Sequence, residues 1–106
     1  MSVQSLDTLL KYVARSGKII IGSNSTLKKA KLGQLKFIVI ASNAPENLKN
    51  DATYYAKLSN IPIIEFSGTN KDLGTLLGKP FPATLVGIID TGQVPVDLLT
   101  KYARTY

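Results

Sequence analysis

Cysteine and histidine are both absent from the 106-residue chain. Without thiols there are no disulfides and no cysteine-held zinc, a composition that suits a reducing compartment. Without imidazole there is no base that titrates near neutrality and no histidine-held metal. Acid is scarce as well. The carboxylate side chains are Asp7, Glu46, Asp51, Glu65, Asp72, Asp90 and Asp97, and none lies within three residues of another. That spacing offers no local carboxylate pair for acid–base work and no calcium loop, although distant carboxylates could still converge in a fold. No apolar run approaches the ~20 residues needed to span a bilayer. The stretch Met1-Ser2-Val3-Gln4-Ser5-Leu6-Asp7 lacks the basic start and continuous apolar segment of a secretion signal. The expectation is a soluble, cytosolic protein that is not an enzyme and needs no metal, organic cofactor or membrane.

What is present supports a single domain over residues 1–106, since domains commonly run to about 100–200 residues. Hydrophobic residues make up 44% of the chain, enough for a core and too many for a disordered tail. The net charge is +6 and unevenly spread. From Thr8 to Pro45 there is no acid, while Lys11, Arg15, Lys18, Lys28, Lys29, Lys31 and Lys36 are all basic. Any one of these lysines could sit on a solvated helix face. Together they repel one another and attract a polyanion, with nucleic acid the obvious candidate.

Val3, Leu6, Leu9, Leu10 and Val13 recur at helical spacing, so residues 3–15 read as an amphipathic helix ended by Gly17. Lys18 to Ile21 reads as a short strand broken by Gly22. Ser23-Asn24-Ser25 are helix-cap residue types, placing a short helix from about Thr26 to Leu32, with Gly33 beyond it. Lys36 to Ala41 is apolar after its first residue, as in a strand covered on both faces. Pro45 opens a helix whose buried stripe is Leu48, Ala52, Tyr55 and Leu58, with Asn60 as its carboxyl cap. Ile61 to Phe66 reads as a strand in which Pro62 restricts early pairing. Thr69 and Asp72 have capping-box spacing for a helix carrying Leu73, Leu76 and Leu77, stopped by Gly78. Lys79 to Ala83 reads as a loop and Leu85 to Asp90 as a strand. Pro95 starts a last helix with Val96, Leu99 and Ala103 inward, running nearly to Tyr106. Alternating helices and strands predict an α/β fold, a three-layer α/β/α sandwich with four main strands.

In open α/β sheets, ligands gather outside the carboxyl ends of the strands. Two predicted strand ends carry similar residues: Gly22-Ser23-Asn24 and Ser42-Asn43. Each precedes a helix start, whose free amides and positive dipole end favour phosphate. Asn24 and Asn43 could cap those helices, or each could read a base edge, because a carboxamide both donates and accepts. Phe81, held between Pro80 and Pro82, is either a core aromatic or a platform for an unpaired base. Gly78-Lys79 is not a P-loop, since Leu73 stands where the earlier glycine belongs and Pro80 where Ser or Thr would hold magnesium. Gly68 to Gly74 lacks the context of a dinucleotide site. A small flavodoxin-like nucleotide-binding enzyme is therefore a poor fit.

Several segments resemble one family closely. They are Gly22-Ser23-Asn24-Ser25-Thr26-Leu27-Lys28, the strand Phe37-Ile38-Val39-Ile40-Ala41 with Asn43-Ala44-Pro45, and Tyr54-Tyr55-Ala56-Lys57-Leu58. The run Gly68-Thr69-Asn70-Lys71-Asp72-Leu73-Gly74-Thr75-Leu76-Leu77-Gly78-Lys79 completes the set. Over roughly Leu6 to Asp90 the chain is similar to the ribosomal protein L-thirty-e family of archaeal and eukaryotic large subunits. That resemblance implies a mixed sheet within the sandwich and recognition of a kink-turn, a sharply bent RNA helix with a short bulge beside tandem sheared G·A pairs. It implies that Gly22 permits close backbone approach, Asn24 and Lys28 meet the G·A edges and phosphates, and Asn43 reads a base edge. Phe81, Pro82 and Ala83 would pack on bulge bases. The full candidate set is Gly22, Ser23, Asn24, Ser25, Thr26, Lys28, Lys29, Asn43, Lys79, Phe81, Pro82 and Ala83. Related kink-turn proteins of guide-RNA particles carry glutamate where Ser25 stands here, which favours the ribosomal branch over that alternative. The expected partners are ribosomal RNA and neighbouring ribosomal proteins; the protein is expected to be a monomer when free and to reside on cytoplasmic ribosomes.

Overall fold

A computed structural model describes residues 6–104. Helix α1 (Leu6–Ser16) buries Leu9, Leu10 and Val13, with Asp7 in its first turn and Arg15 in its last, both favourable to the helix dipole. The start expected at Val3 lies outside the described residues. The chain continues through β1 (Lys18–Ile21), α2 (Ser23–Lys31), β2 (Phe37–Ala41), α3 (Glu46–Ser59) and β3 (Ile63–Phe66). It ends with α4 (Asn70–Leu76), β4 (Leu85–Asp90), α5 (Val96–Thr100) and β5 (Ala103–Arg104).

The five strands form one mixed sheet in the order β1-β4-β2-β3-β5. Strand β4 runs antiparallel to both β1 and β2, whereas β2 and β3 are parallel. The carboxyl ends of β1, β2 and β3 and the start of β4 therefore share one edge of the sheet. Strand β2 explains the layering. Its residues are all buried, and they alternate between two cores. Phe37, Val39 and Ala41 join α1, α4 and α5 on one face, while Ile38 and Ile40 join α2 and α3 on the other. Each such large apolar side chain contributes about 1.5–3 kcal/mol when buried. The sandwich expected from alternation is present.

Two local expectations hold at atomic detail. Asn60 closes α3 in the left-handed region at φ 55. Thr69 Oγ1 accepts from the Asp72 amide at 3.3 Å, and the Thr69 amide donates to Asp72 Oδ2 at 3.1 Å, a full capping box for α4.

The carboxyl-terminal part differs from expectation. Helix α5 stops at Thr100, Val96 is exposed, and Ala103 lies in a fifth strand that pairs antiparallel with β3, Ala103 opposite Ile64. Its physical reason is the open side of β3, whose backbone groups need partners. The start of α2 also differs. Gly22 is its N-cap, so Ser23, Asn24 and Ser25 form the first turn instead of preceding it.

Candidate nucleic-acid interface

Gly22 stands where β1 turns into α2. Its φ of 120 and ψ of 140 suit only glycine, and the space a Cβ would occupy is empty to 4 Å. Its amide donates to the Leu85 carbonyl at 3.1 Å and its carbonyl accepts from the Thr26 amide at 3.0 Å. These bonds pin the turn beside the start of β4. The next three amides, of Ser23, Asn24 and Ser25, have no acceptor within the helix, as at any helix start. Asn24, Ser25 and Lys28 are exposed around them, and no carboxylate occupies the first turn of α2. Asn24 is not a cap.

The end of β2 lies across β4 from this turn. The Ala41 amide donates to the Thr84 carbonyl at 2.9 Å, which joins the β2 end to the residue before β4. Asn43 does not cap α3, whose N-cap is Pro45. It instead faces the first residue of α4. Asn43 Nδ2 donates to Asn70 Oδ1 at 3.0 Å, and the Asn70 amide donates to Asn43 Oδ1 at 2.9 Å. Asn70 Nδ2 goes on to Thr84 Oγ1 at 3.2 Å, and the Ala83 amide donates to the Asn70 carbonyl at 2.9 Å. One carboxamide hydrogen and one lone pair of Asn43 remain for a ligand. Its orientation is set before any ligand arrives.

The loop from Lys79 to Ala83 is fixed against α4 at both ends. A Cβ on Gly74 would collide with the Phe81 carbonyl oxygen, so only glycine lets helix and loop approach so closely. The Lys79 amide donates to the Gly74 carbonyl at 2.9 Å. With Pro80 and Pro82 limiting its backbone, Phe81 keeps a ring that is 50% exposed. Phe81 is not a core aromatic.

Of the candidate residues, Gly22, Ser23, Asn24, Ser25 and Lys28 gather at the β1–α2 turn. Asn43 lies at the end of β2, and Lys79, Phe81 and Pro82 lie in the loop that enters β4 at the same edge. Three side chains lie apart from this exposed group. Ala83 is fully buried in the core beneath the loop, which it anchors. Thr26 is fully buried too, its Oγ1 donating to the Ile20 carbonyl at 3.5 Å. Lys29 donates to Gln34 Oε1 at 3.1 Å, beyond the carboxyl end of α2 and away from its start. Sequence reasoning missed Asn70 and Thr84. Asn70 enters the sequence reading only within the run Gly68 to Lys79, and nothing local signals a bond to a residue 27 positions away. Among the described residues no group of three His, Cys, Asp or Glu could hold a metal, and no helix is long and apolar enough to cross a membrane.

The family model and the sequence relatives agree on one family. A family model described as "Ribosomal protein L7Ae/L30e/S12e/Gadd45 family" matches residues 4–97. The chain is 43% identical over 91 residues to large ribosomal subunit protein eL30 of Sulfurisphaera tokodaii, covering 86% of each chain. It is 44% identical to the protein of that name from Methanothermobacter thermautotrophicus, over 83% of this chain and 90% of that one. The Candida glabrata eL30 is 39% identical over 94% of this chain and 93% of its own. A solved structure of a Bacillus halodurans protein of unknown function superposes with a TM-score of 0.75 at 21% identity. It covers 89% of this chain and 92% of that one, and shows the shared fold alone.

Proposed function

Because the chain belongs to the L7Ae/L30e/S12e/Gadd45 family of ribosomal proteins, we propose that it is a structural constituent of the large ribosomal subunit that binds and stabilises a kink-turn in ribosomal RNA. It acts on cytoplasmic ribosomes beside neighbouring ribosomal proteins, is a monomer when free, and carries out no catalysis. The eL30 relatives support the ribosomal role. The observation that carries the kink-turn reading is the shared sheet edge. The glycine turn at Gly22, the pre-set carboxamide of Asn43 and the exposed ring of Phe81 all lie there.

Each element suits a different part of bent RNA. The first-turn amides of α2 and Lys28 suit phosphates, which favour a helix start free of acid. Asn43 suits the polar edge of a base, and Phe81 suits an unpaired base, since RNA is read mainly where bases leave the stack. No single one of these contacts demands a bend. Requiring all of them at once does, because a straight A-form helix presents neither splayed bases nor accessible major-groove edges. Binding then favours the kinked conformer by its differential affinity over the straight one.

A gel-shift titration of a kink-turn RNA against a straight duplex of equal length tests this. The kink-turn is expected to bind much more tightly, and equal affinity for both RNAs would overturn the reading.

A further inference from the structure

The loop that presents Phe81 has a second side. Lys71 and Thr75 lie one turn apart on the exposed face of α4, and Lys79 follows beyond the helix. With Pro80, Phe81 and Pro82 they line an open groove of about 360 Å³. No carboxylate lines it, and the nearby Asp72 is held in the capping box with Thr69. Neither the Lys71 nor the Lys79 ammonium group has a hydrogen-bond or ion-pair partner among the described residues. Two free ammonium groups therefore flank a stiffly held aromatic ring in this groove.

The geometry points to a path for single-stranded RNA along the outer face of α4, leading away from the bent element. A nucleotide stacked on Phe81 places its chain neighbours in this groove, with phosphates between Lys71 and Lys79 and Thr75 Oγ1 as a further hydrogen-bond partner. The occupant is an unpaired strand, because its features match in kind: a ring for a base face and point charges for phosphates. A paired helix would not fit, since its bases are already stacked on each other and cannot reach the ring. An acidic peptide would satisfy the lysines but leave the exposed ring without a matched partner. The contact tolerates any base, because every base has a stacking face and a phosphate carries no sequence.

This inference rests on the kink-turn reading but extends it, and the test separates the two. The full chain is titrated with a kink-turn RNA ending bluntly at its helix and with the same RNA carrying about four unpaired uridines beyond the bulge-side strand, a length that spans a typical small single-strand site. Wild-type protein is expected to bind the extended RNA more tightly. The slope of log affinity against log salt should be steeper for it by about 1.4, for two single-strand phosphates. The double variant Lys71→Gln with Lys79→Gln should lose that difference, read as the ratio of its own affinities for the two RNAs. A Lys57→Gln with Lys101→Gln control, equal in charge change but on α3 and after α5, should keep the difference. Equal binding of both RNAs by wild type, or equal loss of the difference in both double variants, would overturn the proposal while leaving kink-turn binding intact. Failure of the kink-turn reading would show separately, as blunt RNA binding no better than a straight duplex. An acidic peptide that competes off the extension as well as unlabelled RNA does would also overturn it.

Discussion

Replacing Asn43 with alanine tests whether the interface is set in advance of its ligand. The substitution removes two hydrogen bonds to Asn70, one in each direction. At about 0.5–1.5 kcal/mol net for each bond, the loss of stability is about 1–3 kcal/mol. Both bonds lie at the surface, where water can replace them, so the lower half of that range applies. Asn70→Ala removes one bond to Asn43 and one to Thr84 and should cost a similar amount. The two variants share the bond from Asn43 Nδ2 to Asn70 Oδ1. The double variant should therefore be more stable than the sum of the singles implies, by about 0.5–1 kcal/mol. Urea unfolding of the four proteins, with midpoints and slopes fitted together, measures that coupling. In RNA binding, Asn70→Ala should weaken affinity although Asn70 need not touch RNA, because it leaves the Asn43 carboxamide held by one bond instead of two. Strict additivity of the two stability losses would refute the reasoning.

Phe81→Ala should weaken kink-turn binding by about 1–3 kcal/mol, the worth of a stacked base. The half-exposed ring predicts little change in melting temperature, and a large fall would mean that Phe81 supports the core. Gly74→Ala should act oppositely to a simple surface change. The new methyl meets the Phe81 carbonyl oxygen, so it should destabilise the fold by about 1–3 kcal/mol through overpacking and also weaken RNA binding by shifting the loop. Paired calorimetry and gel-shift measurements on this variant check both effects.

Much of the fold was legible because its signals are local. The continuous apolar run from Phe37 to Ala41 marks a strand covered on both sides, and both cores do meet on it. Thr69 and Asp72 give a capping box by spacing alone, and Asn60 is a residue type that tolerates the left-handed region it occupies. Strand β5 was not legible. Ala103-Arg104 has no alternating pattern, and its pairing arises from the open side of β3, a tertiary fact. The start of α2 misled for a related reason. Serine and asparagine are good caps, but Gly22 could take a φ of 120 that they disfavour, and the helix began one residue after it. The candidate site was legible as residue types at strand ends. Which side chains face outward was not, since the burial of Thr26 and Ala83 depends on the far side of the sheet edge. Asn70 escaped notice because its partners lie 27 and 14 residues away.

Amide and side-chain carboxamide NMR signals followed during titration with a kink-turn RNA test the shared surface most directly. Gly22, Asn24, Lys28, Asn43, Asn70 and Phe81 are expected to shift together and saturate at one equivalent of RNA. Shifts confined to the outer face of α3, around Tyr54 and Leu58, or to the opposite sheet edge, around Lys18 and Lys36, would contradict the account.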